Sequence, residues 1–195
     1  MVAARNPDIA FIVMMAGTGV RGDEILVAQR RLIAEAGGDS REKLDKGDIQ
    51  QRAILALVVQ EKDDAVLEKK ARALIGGSVP EAQIGPQLKA LTSPWFRYFL
   101  TYDPAPALSK VKCPVLAING EKDLQVPPKL NLPAIRKSLV GGGNKDFEVA
   151  ELPSLNHLFQ TAKTGAPTEY AEIEETIAPV ALEKMAAWIV AHSKM

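Results

Sequence analysis

Between Pro114 and Gly120 the chain reads Val115-Leu116-Ala117-Ile118-Asn119, apolar in every position until the last. A run with no polar alternation can show neither side to water, so it reads as a strand covered on both faces. A second run, Ile9 to Ala16 (IAFIVMMA), contains no polar residue at all and carries the same requirement. Two such strands in one chain imply a parallel sheet with helices above and below it, the α/β class. A third segment, Phe147 to Leu152 (FEVAEL), alternates as a strand at a sheet edge does. The expected strands are therefore 9–16, 114–119 and 147–152.

At 195 residues and 47% apolar content, the chain is long enough for one sizeable core with an inserted subdomain. Twenty-four Lys and Arg balance twenty-four Asp and Glu, so no net field draws in nucleic acid or an anionic membrane. A single cysteine, Cys113, excludes an intramolecular disulfide, and with two histidines it makes a dedicated zinc site an unfavourable reading. No metal or other cofactor is expected. The run at 9–16 is too short to span a bilayer, and Asp8 beside it and Gly17-Thr18-Gly19 after it make a poor secretion signal. The expected location is the cytoplasm.

Residues 22–92 have the composition of a helical insert, rich in Ala, Glu, Lys, Gln and Leu. The spacing predicts helices over 23–36, 49–59 and 65–75, the first closed by Gly37-Gly38 and the last by Gly76-Gly77. An insert of three or four helices between two strands must fold over an edge or the top of the sheet. Ser93-Pro94 is a helix start, with Ser93 as N-cap and Pro94 at the first helical position. Trp95, Phe96, Tyr98 and Phe99 follow, and with Tyr102 they make half of the aromatic side chains. Two roles suit them: sealing the insert onto the sheet, or, for Trp95, Phe96 and Phe99, lining a hydrophobic substrate pocket. A short helix over 130–140 interrupted by Pro133, and an amphipathic helix over 178–192 with Leu182, Met185, Trp188 and Ile189 inward, complete the reading. The expected division is a core of 1–21 and 93–195 and a lid of 22–92.

Chemistry concentrates beyond the carboxyl ends of the second and third strands, the rim where open α/β sheets bind their ligands. Gly120-Glu121-Lys122-Asp123 follows one strand, and Leu152 to Phe159 (LPSLNHLF) carries His157 after the next. A carboxylate and an imidazole in that order are the acid and base of a Ser-His-Asp relay. On these loops the chain resembles the C-terminal part of the α/β-hydrolases, in particular the esterase and serine-aminopeptidase-like branch that carries a helical lid. The resemblance implies Asp123 as the catalytic acid, His157 as the general base, the strand of Phe11 as the sixth of the family, and 22–91 as the lid.

The family's Gly-x-Ser-x-Gly elbow is found nowhere in the sequence. On the resemblance, Met1 to Arg5 reads as the tail of the helix that follows the elbow, so the serine and the oxyanion donors would precede residue 1. Ser154 lies near His157 but shares its loop and lacks an elbow to aim it; Ser78 and Ser93 read as helix boundaries. Cys113 lies at the wrong end of its strand, and His192 reads as a helix C-terminal residue favoured by the dipole. The expectation is the acid and base half of a serine hydrolase for small acyl esters or amides, inactive by itself. The alternative is a non-catalytic, self-associating or hydrophobic-ligand-binding module, a homo-oligomer formed through the edge strand 9–16 or the lid helices.

Overall fold

The computed structural model describes residues 1–76 and 81–193. They divide into two compact units, one of Met1–Val20 with Asp103–Met195 and one of Arg21–Tyr102. None of the described helices is long and apolar enough to cross a membrane.

The first unit holds a parallel sheet of three strands in the order β1 (Ile12–Met15), β2 (Val115–Gly120), β3 (Phe147–Leu152). Every residue of β2 is buried. Its side chains part by parity, as a period of two dictates. Leu116 and Ile118 enter a core with Leu152, Leu155, Phe159 and the α8 (Pro179–His192) residues Ala181 and Trp188. Val115 and Ala117 enter another with Leu132, Ile135 and Leu139 of α7 (Pro128–Gly141). The two helices thus cover opposite faces, which is what the unbroken apolar run demanded. On β3, Phe147 and Val149 join the α7 face and Ala150 and Leu152 the α8 face. The carboxylates in the same strand are tied outward, Glu151 to Lys129 at 2.8 Å and Glu148 to Lys184.

Four details depart from expectation. The first strand is shorter than 9–16, because its ladder opens with the Ile12 N–H on the Pro114 carbonyl and Pro114 has no N–H to extend it. It closes at Ala16, whose φ of 47° turns the chain out of the sheet. Helix α7 runs unbroken through Pro133, its sixth residue. On α8 the inward residues are Ala181 and Trp188, with Met185 partly buried, whereas Leu182 and Ile189 are exposed. At the amino terminus, Val2 to Asn6 make a single hydrogen-bonded turn instead of a helix.

The second unit is built of α1 (Gly22–Ala36), α2 (Arg41–Gln60), α3 (Asp64–Ile75), α4 (Glu81–Leu91) and α5 (Pro94–Thr101). Val27, Leu55, Val58, Leu67, Ala71, Ile75, Ile84, Leu88 and Leu100 form its core. Helix α2 begins well before residue 49, capped by Ser40, because the polar stretch Arg41 to Asp48 is a solvated helical face and not a loop. Asp48 on that face holds Arg30 at 2.7 Å and Arg31 at 2.5 Å from α1. Ser93 caps α5 by accepting from the Phe96 N–H at 3.2 Å. Helix α5 packs in this unit, so the division falls after Tyr102 and not after residue 92. Short α6 (Ala105–Leu108) leads back toward β2.

Candidate active site

Strand β2 delivers Asn119 and Gly120 to the carboxyl rim of the sheet, and a tight turn follows, closed by the Asp123 N–H on the Gly120 carbonyl at 3.1 Å. The Asp123 side chain is wholly buried. Its Oδ1 accepts from the backbone N–H groups of Gln125 at 2.9 Å and Val126 at 2.8 Å. Its Oδ2 accepts from Asn119 Nδ2 at 3.1 Å and meets His157 Nδ1 at 2.9 Å. Backbone N–H and amide NH₂ groups can only donate, so Asp123 meets each of them as an acceptor. With Oδ2 accepting from the ring as well, the imidazole proton stands on Nδ1 and the lone pair of the neutral ring on Nε2. Asn119 Nδ2 also donates to the Val126 carbonyl at 2.8 Å, which locks the turn.

The histidine loop is equally well determined. Asn156 is fully buried; its Oδ1 accepts from Leu158 N–H at 2.9 Å and Gln160 N–H at 3.0 Å, and its Nδ2 donates to Gln160 Oε1 at 2.9 Å. Leu155 bridges Thr161 in antiparallel fashion, and Phe159 takes a left-handed φ of 61°. These bonds close a narrow loop with His157 near its tip, the ring 26% exposed. The acid loop is stitched to it by Glu121 N–H on the Leu152 carbonyl at 2.8 Å and Lys122 N–H on the Leu155 carbonyl at 2.9 Å. Lys122 Nζ adds bonds to the Ala162 and Lys163 carbonyls at 2.8 and 2.9 Å. Gly120 makes the approach feasible, since a Cβ there would stand 2.2 Å from the Leu155 carbonyl oxygen.

Asp123 and His157, separate in sequence, are thus brought into direct contact. Asn119, Gly120, Lys122, Gln125 and Asn156 were not singled out from sequence. Asn119, the one polar residue in an otherwise apolar strand, was the visible signal. Tyr170, in the 3₁₀ turn Pro167–Glu172, was also missed: its hydroxyl accepts from Gln125 Nε2 at 3.0 Å.

The remaining candidates lie as follows. Phe96 and Phe99 pack against the core of the helical unit, and Trp95, stacked on Phe99 with ring centroids 5.4 Å apart, is exposed. Ser154 has a left-handed φ of 63° but stands in a loop and not at a strand-to-helix elbow, and no bond joins it to the His157 ring among the described residues. Ser93 caps a helix, and Ser78 lies outside the described residues. Cys113 precedes β2 at the amino end of the sheet, where burial pushes its thiol up. It borders a cavity of about 550 Å³ together with Arg5, Lys110 and Lys112, at the end of the strands opposite Asp123. Among the described residues no cluster of three or more His, Cys, Asp and Glu side chains could hold a metal ion. No protein-family model, no curated protein and no solved structure matches the chain.

Proposed function

We propose that Asp123 and His157 are the acid and base of a Ser-His-Asp-type relay for hydrolysis of small acyl esters or amides, on a partial α/β-hydrolase core with residues 21–102 as a helical lid. One observation carries the reading: a fully buried, four-bonded carboxylate holds Nδ1 of a partly exposed imidazole at 2.9 Å. In that arrangement His157 Nε2 takes the proton of an attacking hydroxyl and returns it to the leaving group, and Asp123 fixes the tautomer and stabilises the imidazolium. The sequence holds no Gly-x-Ser-x-Gly elbow, and on this reading the nucleophile and the oxyanion donors are supplied from outside it.

The test has two arms. The chain by itself is expected to show no ester turnover and no serine labelling by a fluorophosphonate; rapid turnover with labelling of one of its own serines overturns the reading. The coding frame extended upstream of Met1 is expected to encode the elbow and to hydrolyse p-nitrophenyl esters, with Asp123→Asn lowering kcat about 10⁴-fold. An extended frame without an elbow, or with turnover indifferent to Asp123→Asn and His157→Ala, also overturns it.

A second reading rests on the sheet order. Strand β1 pairs only with β2 among the described residues, and no charged residue occurs from Ile9 to Val20 to discourage pairing of its outer edge with another copy. A non-catalytic, self-associating module would sediment as a dimer or larger; a monomer at high concentration counts against it.

A further inference from the structure

The turn Pro167–Glu172 follows the histidine loop closely in sequence but lies far from the acid loop, onto which it is nevertheless pinned. The Glu169 carboxylate accepts from the Lys163, Thr164 and Gly165 N–H groups at 3.1, 2.8 and 3.4 Å. Gly165, in a left-handed conformation with φ 81°, lies so close to Lys122 that a Cβ would stand 2.0 Å from its carbonyl oxygen. That close approach brings the Tyr170 phenol to Gln125, the residue whose N–H holds Asp123 Oδ1.

We propose that Tyr170 is a positioning residue for the Asp123–His157 pair, its phenol oxygen tying the acid loop, through Gln125, to the segment that follows the histidine loop, so that the two loops keep their register. Two bonds make the link: Gln125 Nε2 to the Tyr170 oxygen at 3.0 Å, and Gln125 N–H to Asp123 at 2.9 Å. Burial raises the phenol's pKa and outweighs the Gln125 bond, which lowers it. Tyr170 therefore stays a neutral phenol, which can accept from Gln125 without placing a second anion beside Asp123. A ring without the oxygen would fill the same space and leave the Gln125 amide unpaired.

The inference rests on the Asp123–His157 relay reading, and the experiment separates the two. The full chain, ¹⁵N-labelled, is studied by NMR at a pH where the imidazole is neutral, reading the His157 tautomer from its ring nitrogens and the solvent exchange of the Nδ1 proton. Wild type is expected to show one tautomer, Nδ1–H, with slow exchange. Tyr170→Phe should speed that exchange about five- to tenfold, the factor that one lost hydrogen bond corresponds to, and mix the tautomers, with the melting temperature little changed. Gln125→Ala keeps the phenol and removes its donor, and should do the same. It carries the test if Tyr170→Phe fails to fold. Asp123→Asn should abolish the Nδ1–H preference outright. If Asp123→Asn leaves tautomer and exchange unchanged, the acid and base pairing itself fails. If Asp123→Asn abolishes the preference while Tyr170→Phe and Gln125→Ala leave exchange at the wild-type rate, only the role of Tyr170 is overturned.

Discussion

Gly120 is the position where a single methyl group reports most directly on how the acid and base loops meet. A Cβ added there would lie 2.2 Å from the Leu155 carbonyl oxygen and 2.5 Å from that of Asn156, both backbone atoms that cannot rotate aside. Real Cβ contacts essentially never fall below 3.0 Å, so the histidine loop must retreat by about 0.8 Å. Taken along the Lys122 N–H bond to Leu155, that retreat stretches 2.9 Å to about 3.7 Å, beyond hydrogen-bonding range. His157 follows Asn156 directly, so its contact with Asp123 is strained by the same movement. Overpacking of this kind costs about 1–3 kcal/mol, and one or two lost bonds add about 1 kcal/mol each. Gly120→Ala is therefore expected to lose about 2–5 kcal/mol in urea unfolding, a large share of the roughly 5–15 kcal/mol available to a domain. The control is Gly141→Ala, at the end of α7, where an added Cβ meets nothing within 4 Å and stability should change by less than about 1 kcal/mol. A Gly120→Ala protein as stable as Gly141→Ala, with the Nδ1–H resonance of His157 intact, would show that the two loops do not meet over Gly120.

The Arg30–Asp48–Arg31 cluster gives a pH dependence. Burial raises the Asp48 carboxyl, but the bonds from Arg31 and Arg30 outweigh it and the net displacement is downward. A carboxyl lowered by folding contributes stability that is present above its unfolded pKa and is lost as pH falls through the folded one. Asp48→Asn should thus cost about 1 kcal/mol at neutral pH in urea titrations, discounted for the partial exposure of the pair, and progressively less below about pH 4. Cys113 runs the other way: burial raises its thiol, so iodoacetamide at neutral pH should label it several-fold more slowly in the native chain than in urea. Equal rates in both would show that the thiol is not sheltered by the fold.

The parallel sheet was legible because Val115–Ile118 and Ile9–Ala16 admit no amphipathic placement, and β3 lies over 147–152 as its alternation indicates. The extent of β1 was hidden, since it depends on Pro114, just before the partner strand, and not on its own residues. Polar residues misled in the opposite direction at Arg41–Asp48, where charge reads as loop but is held in a helix by arginines on α1. Within the candidate site, Asp123 and His157 could be named from the loops they occupy. Gln125 and Tyr170 could not, because their side chains meet in a 3.0 Å contact across the fold, and no spacing rule links residues 125 and 170.

The two histidines of the chain are built for different ends. His192 stacks on Trp188, its Nδ1 meets the Trp188 carbonyl at 2.8 Å and its Nε2 faces Asp146 at 3.4 Å, so both nitrogens are engaged. His157 commits only Nδ1, and its partner is a carboxylate withdrawn from water at a cost of several kcal/mol unless every lone pair is filled. Closing the turn requires no more of Asp123 than the two backbone bonds on Oδ1. The Oδ2 bonds are surplus to that task, and one of them comes from Asn119, whose own Oδ1 is buried without a partner, a cost of about 1–3 kcal/mol. Stability alone would favour an apolar residue at Asn119 and a solvated Oδ2. The arrangement present instead gives up that stability to aim one ring nitrogen inward and leave Nε2 without a partner among the described residues, and an unengaged Nε2 behind a fixed tautomer is what a general base needs.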